Sequence, residues 1–404
     1  MSRNWYLLII SFLILNIFNW VGWIEITYGI PQIVKYVLSV SFIGTLLYYL
    51  AAKPSRNITE DTFFPVFLWF ILYTIFLLFT SALKFDGVIY IQRILADRAF
   101  FLPYLLPVIV MFIKFDLNFF KNLFKISSVL MFPVIFLLLY TLILDLNQQR
   151  WVEHFERINL FNLASGFLLL TSHLSNKRYI SRIVILYYIL FIVLSLIYGR
   201  RGGVLSCLLL LLFMIFIRLR SPLLSIRHRT KMYLTGIVIF ILLLSFGYLV
   251  QSTYAFERGF SKEGFQESRE SVFTDFFEDF TSVNDWIFGR GIQGRVYRSI
   301  YAEGTLDIVE QGFLTVILRG GLLYLVPFVI IFLRASYLGF FCSKNDLVKA
   351  LAILVFLHLA LMFYFNLPDY STYYVFIWIA ITACFNQRMR EYSNADIYRV
   401  ISVH

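Results

Sequence analysis

Cysteine is scarce, confined to Cys207, Cys342 and Cys384. The number is odd and each lies in or at the end of an apolar run, so no disulfide framework is implied. Histidine is sparse too, at His154, His173, His228, His358 and His404, and no Cys/His cluster has metal-ligand spacing. Neither a metal nor any other cofactor is expected. Internal repeats and low-complexity tracts are absent. Charge is thin, 15% of the 404 residues. The run Trp5–Ile24 has no small-residue cleavage site and is long for a signal sequence, so it is read as a retained first helix.

What fills the chain is apolar side chain. Hydrophobic residues make up 60% and aromatics 19%, with a mean hydropathy of +0.78. No soluble core of this length hides that much apolar surface, and in lipid only helices or a closed barrel satisfy the backbone. A barrel needs alternating strands of about ten residues. Here the runs are continuous over roughly 17–21 residues, the length of a membrane-crossing helix. The expectation is an all-α, polytopic transmembrane bundle forming a single membrane domain over 1–404, with about twelve spans. They are placed at 5–24, 32–51, 63–82, 99–113, 126–144, 158–174, 180–198, 203–217, 232–250, 310–333, 347–367 and 371–386. The fourth carries Pro103 and Pro107 and is expected to kink. The tenth carries Arg319-Gly320-Gly321 and is expected to break or tilt there.

Lys and Arg in the short loops set the orientation. With the N-terminus inside, the inner segments hold Lys53 and Arg56; Lys114, Lys121 and Lys125; Lys177, Arg178 and Arg182; Arg218, Arg220, Arg227, Arg229 and Lys231; Lys344 and Lys349; Arg388 and Arg390. Most acids then lie outside. Both termini are expected in the cytoplasm, with 387–404 as a cytoplasmic tail. The net charge of +11 reflects this inner-leaflet bias and needs no nucleic-acid partner. Residues 251–309 stand apart as a long polar loop on the outer side between spans nine and ten, and loops of that length are uncommon unless functional or disordered. Within it, Ser271–Phe280 has apolar residues at helical spacing. That predicts an amphipathic helix lying on the membrane or across the bundle mouth, the alternative being a helix that merely packs on the bundle.

Three groups converge on the outer face. Arg200 and Arg201 sit in Tyr198-Gly199-Arg200-Arg201-Gly202-Gly203 at the mouth of span eight. They either anchor a helix end in the headgroups or clamp an anion, for which guanidinium forks beside glycines are suited. Next come Phe288-Gly289-Arg290-Gly291-Ile292-Gln293-Gly294-Arg295 and then Arg298, where glycine backbone N–H groups and arginines together can cradle phosphate oxygens. The same pattern also fits an ordinary glycine-rich turn, and no preceding strand makes it a dinucleotide fingerprint. The third group is Glu310-Gln311-Gly312-Phe313, followed by Arg319-Gly320-Gly321. Glu310 is either a general base or an ion-pair partner for one of the arginines, a carboxylate at that depth being costly without a role. Arg319 follows it by about two and a half helical turns. An outer cavity of this kind suits a lipid-linked pyrophosphate substrate.

At these residues the chain resembles the O-antigen polymerase and ligase superfamily, including Wzy-type polysaccharide polymerases. The likeness rests on the span count with its long outer loop, on Gly199-Arg200-Arg201-Gly202-Gly203, and on the passage from Phe288-Gly289-Arg290-Gly291 to Glu310-Gln311-Gly312-Phe313-Leu314. It implies a GT-C-like membrane glycosyltransferase of the bacterial inner membrane that uses undecaprenyl-diphosphate-linked oligosaccharides, alongside a flippase and a chain-length regulator. It implies Arg201 as the residue on the donor diphosphate, assisted by Arg200, Arg290, Arg295 and Arg298, and leaves open whether Glu310 takes the base role. Ligases of this superfamily carry a His-Asn pair where this chain reads Glu310-Gln311, a departure that favours a polymerase. A glycan or lipid transporter is the reading from another class.

Overall fold

The computed structural model describes residues 5–28, 32–52, 62–83, 87–97, 99–145, 165–197, 201–220, 230, 234, 237, 268–297, 304–306, 309, 311–363 and 367–402. Its helices are α1 Trp5–Tyr28, α2 Ile33–Ala52, α3 Phe64–Ala82, α4 Gly87–Ala96, α5 Leu102–Met111, α6 Leu117–Asp145, α7 Ser165–Thr171, α8 Arg178–Ile197 and α9 Arg201–Arg220. After them come α10 Ser268–Asp279, α11 Val283–Phe288, α12 Gly312–Phe341, α13 Asp346–Leu361, α14 Thr372–Phe385, α15 Gln387–Glu391 and α16 Asn394–Ser402. Among the described residues the strands are two dipeptides, β1 Val296–Tyr297 and β2 Thr305–Leu306, paired antiparallel. The chain is an all-α bundle. By length and composition, six of its described helices can cross a membrane: those over Ile33–Ala51, Phe64–Ala82, Leu117–Phe136, Tyr179–Leu196, Gly202–Arg220 and Gly312–Phe341. The ninth expected span, 232–250, and the part of the long loop before residue 268 lie almost wholly outside the described residues.

Both faces of the peripheral helices are apolar, as lipid requires. On α3, Phe67, Phe70, Tyr73, Leu77 and Leu78 are buried, while Leu68, Trp69, Leu72, Ile75 and Phe79 on the opposite face are exposed. A helix on the surface of a soluble domain shows polar residues on that second face. At the centre, α14 is apolar all round and buried from Tyr374 to Phe385. Trp378 packs among Phe70, Phe328 and Phe332, with ring centroids at 5.5, 6.1 and 5.4 Å.

Polar side chains tie one end of the bundle. Asn345 caps α13 by accepting from Val348 N at 2.9 Å, and its amide donates to Met389 O at 2.8 Å and Tyr392 O at 3.0 Å. Asn394 Oδ1 accepts from Asp346 N at 2.7 Å. Arg218 donates to Ser172 Oγ and Ser181 Oγ at 2.5 and 2.9 Å. The terminal stretch is therefore a docked element: Ile397 and Ile401 are buried, and α16 packs on α6. Replacing Asn345 with alanine removes a cap of about 1 kcal/mol and two buried hydrogen bonds of about 1 kcal/mol each. The expected loss is about 2–3 kcal/mol, read as a lowered thermal midpoint of the detergent-solubilised protein. An unchanged midpoint would remove Asn345 from the fold's supports.

Candidate functional site

The opposite end of the bundle is built around a broken helix. Gly321 in α12 has φ 61° and ψ −167°, a conformation outside the helical region and open essentially to glycine alone. A segment from the long loop fills the break. Arg290 N donates to Leu318 O at 2.7 Å and Gly291 N to Arg319 O at 3.1 Å. In an unbroken helix those two carbonyls would accept from residues 322 and 323. Contact is backbone to backbone: a Cβ on Gly289 would lie 2.6 Å from Gly321 N, and one on Gly321 would strike the Ile287 carbonyl. Tyr73 adds a third tie, donating from its hydroxyl to Phe288 O at 3.1 Å.

Arg290 holds this segment from the other side. Its Nε donates to Asp285 Oδ2 at 2.8 Å, one terminal nitrogen to Asp279 Oδ2 at 2.5 Å and to Arg295 O at 2.8 Å, and the other to Asp279 O at 2.7 Å. The guanidinium also lies 4.9 Å from the Phe280 ring centroid. Partial burial pulls its pKa down, but the hydrogen bonds and charges of Asp279 and Asp285 outweigh this and raise it. Within the structure, Arg290 is the strut that joins α10, α11 and the Gly289–Gly291 turn. Lysine cannot reproduce this fork. Arg290→Lys is expected to loosen the turn by about 2 kcal/mol, the scale of charged hydrogen bonds, and to raise proteolytic cleavage in 281–297 by about 30-fold at 1.4 kcal/mol per decade. Unchanged cleavage would show that the strut is dispensable.

The helix anticipated at Ser271–Phe280 runs over Ser268–Asp279 and packs on the bundle. Val272, Phe276 and Phe280 share a cluster with Val296, Val309, Leu314, Ile317 and Leu318, while Phe277 stacks on Trp286 at 5.7 Å. Between this assembly and the end of α3 lies a cavity of about 240 Å³, lined by Phe76, Leu77, Thr80, Ser81 and residues Phe288 to Gln293. That is below the roughly 300–1,000 Å³ of drug-sized ligand sites. It has room for a single sugar ring or a headgroup, not for a whole glycan. Under the break, Arg319 is buried, its guanidinium 5.7 Å from the Tyr104 ring, and Tyr324 packs against Tyr104 at 5.6 Å.

Of the residues singled out in the sequence, Arg200, Arg298 and Glu310 lie outside the described residues, and of Arg201 only the backbone, as the first residue of α9, is described. Arg290 and Arg295 share the turn, and Arg295 is exposed. The helix ends relate the groups. Phe216 and Arg220 near the end of α9 and Asp346 and Lys349 at the start of α13 line one cavity, so α9 and α13 run antiparallel. Gly166 sits between Leu210 and Leu354 midway along them. Arg201 therefore emerges with Leu361, and Gly312 N donates to Met362 O at 2.9 Å. The start of α9, the start of α12 and the Gly289–Gly291 turn thus share one end of the bundle. Sequence reasoning missed Asp279, Asp285 and Tyr73, whose roles depend on partners that spacing does not reveal. No family model, curated protein or solved structure matches this chain.

Proposed function

We propose that the protein is a GT-C-like membrane glycosyltransferase that polymerises undecaprenyl-diphosphate-linked oligosaccharide repeat units on the outer face of the bacterial inner membrane. In this reading it has about twelve spans and both termini in the cytoplasm. The observation that carries the proposal is the convergence, at one end of an apolar bundle, of the helix opened by Arg201, the turn carrying Arg290 and Arg295, and the helix that begins after Gln311. The arginine forks of Arg201 and Arg295 suit a diphosphate, while that of Arg290 is taken up by Asp279 and Asp285. The exposed apolar helix faces give a polyprenyl tail its place, and the cavity by Phe288 gives a sugar ring one.

In the proposed reaction a hydroxyl of one lipid-linked repeat unit attacks the anomeric carbon of the glycan on another. A new C–O bond forms, the bond to the diphosphate breaks, and its electron pair leaves with undecaprenyl diphosphate. Arg201 stabilises that departing charge, helped by Arg200, Arg295 and Arg298, while Arg290 keeps the turn in place. Glu310 takes the hydroxyl proton. A positioned base contributes about 10²–10⁴-fold, so Glu310→Gln is expected to slow polymerisation by that factor while membrane insertion stays normal. Near-normal activity would give Glu310 a structural role.

The cellular test is a glycan gel of a strain lacking this chain, with plasmid rescue. Glycan capped with a single repeat supports polymerisation. Polymer stranded on undecaprenyl diphosphate makes the protein a ligase. A second reading, a glycan or lipid transporter, draws on the break in α12, since transporters build sites from discontinuous helices. It expects no repeat units at the outer face in the deletion strain. Working partners under the first reading are a flippase and a chain-length regulator.

A further inference from the structure

At the end of the bundle away from the Gly289 turn lies a second cavity of about 240 Å³, between the last turns of α9 and α12 and the first turn of α13. We propose that it binds the phosphate headgroup of an anionic phospholipid, a role independent of the catalytic reading above. Two cations line it, Arg220 and Lys349, and among the described residues neither forms an ion pair. The Arg220 guanidinium lies 4.4 Å from the Phe216 ring centroid, and that ring stacks on Phe340 at 6.0 Å and 18°. This aromatic floor sits beneath the Arg220 charge. One carboxylate also lines the wall, that of Asp346, and its Oδ2 is bonded to His173 Nε2 at 3.2 Å. The local balance is therefore positive.

What distinguishes a lipid from free phosphate is the surface that leads to the cavity. Leu333, Tyr337 and Phe341 lie one turn apart along α12 and are 47%, 51% and 71% exposed. They make an apolar track for acyl chains that ends at the two cations. A cation beside an anionic leaflet contributes on the order of fivefold in association, so two contribute about 30-fold. The cavity sits at the end that carries the other basic residues of the inner segments, including Lys344, Arg388 and Arg390, where anionic headgroups concentrate.

The test is a titration of the full-length protein, purified in detergent, with phosphatidylglycerol or phosphatidylcholine, followed by native mass spectrometry. The expected result is a preference for phosphatidylglycerol, weakened about 30-fold in Arg220→Ala/Lys349→Ala and unchanged in Arg388→Ala, which does not line the cavity. A thermal melt checks folding, and Arg220→Gln/Lys349→Gln repeats the test with stem length retained. A double variant that keeps the full preference overturns the proposal. So does displacement of the lipid by millimolar inorganic phosphate, which would make this a site for the free anion.

Discussion

Under the proposed function, Gly321→Ala is expected to lower polymer formation by at least about 100-fold while the protein still enters the membrane. The φ/ψ pair at Gly321 is open essentially to glycine, and forcing another residue there costs about 1–3 kcal/mol. The new Cβ would strike the Ile287 carbonyl and lie 2.6 Å from Gly289 N. Both obstacles are backbone and neither can swing aside. Relief comes by straightening α12, which turns the Leu318 and Arg319 carbonyls back into the helix and releases Arg290 N and Gly291 N. Two backbone bonds of about 1 kcal/mol each are then lost. Together with the strain this is about 3–5 kcal/mol, enough to undock the turn in most molecules. Gly44→Ala is the control, because a Cβ there meets nothing within 4 Å. Loss of polymer with faster cleavage between 281 and 297 in Gly321→Ala, and neither change in Gly44→Ala, is the expected pair of readings. Normal polymer from Gly321→Ala would mean that the docked turn has no part in function.

The second large effect belongs to Arg201. Under the proposed function it opposes charge that appears only as the diphosphate departs, and such preorganised donors are worth about 10²–10³-fold each. Arg201→Ala is expected to abolish detectable polymer at normal protein levels. Arg201→Lys keeps a positive charge without the planar fork and is expected to retain a small part of the activity. Lys equal to wild type would reduce the requirement to a point charge. Polymer of normal length from the alanine variant would remove Arg201 from the site. Protein level and thermal midpoint of each variant are read beside polymer, so that loss of the bundle is told apart from loss of the clamp.

The membrane helices were legible because burial in lipid leaves continuous apolar runs. The runs at 32–51 and 63–82 became Ile33–Ala52 and Phe64–Ala82, both long and apolar enough to cross a membrane, while the run at 371–386 became the shorter apolar helix Thr372–Phe385. Two errors share one cause. A hydropathy reading for membrane-length runs passes over α4, which is ten residues long with Arg93 in its last turn. The start of α6 at Leu117 was placed nine residues too late because Lys121 and Lys125 interrupt the run. Asp116 nonetheless caps that start, accepting from Phe119 N at 3.0 Å. Arg319-Gly320-Gly321 announced a break in α12. It did not announce that Gly289-Arg290-Gly291, some thirty residues earlier in the chain, fills it. The partners of Arg290 were equally hidden: spacing shows that Asp279 and Asp285 are near in sequence, not that both turn toward one guanidinium. Local pattern specifies the elements, and pairings across the bundle depend on packing that pattern does not carry.

The most direct test of the proposed function is bond formation by the purified protein in detergent, supplied only with undecaprenyl-diphosphate-linked repeat units. Detergent removes the second compartment that a transporter needs and leaves chemistry as the sole readout. The account predicts longer glycans on undecaprenyl diphosphate, one undecaprenyl diphosphate released per bond formed, and no product from Arg201→Ala. A folded preparation that forms no bond, yet moves the same lipid-linked repeat units across vesicle membranes, would contradict it.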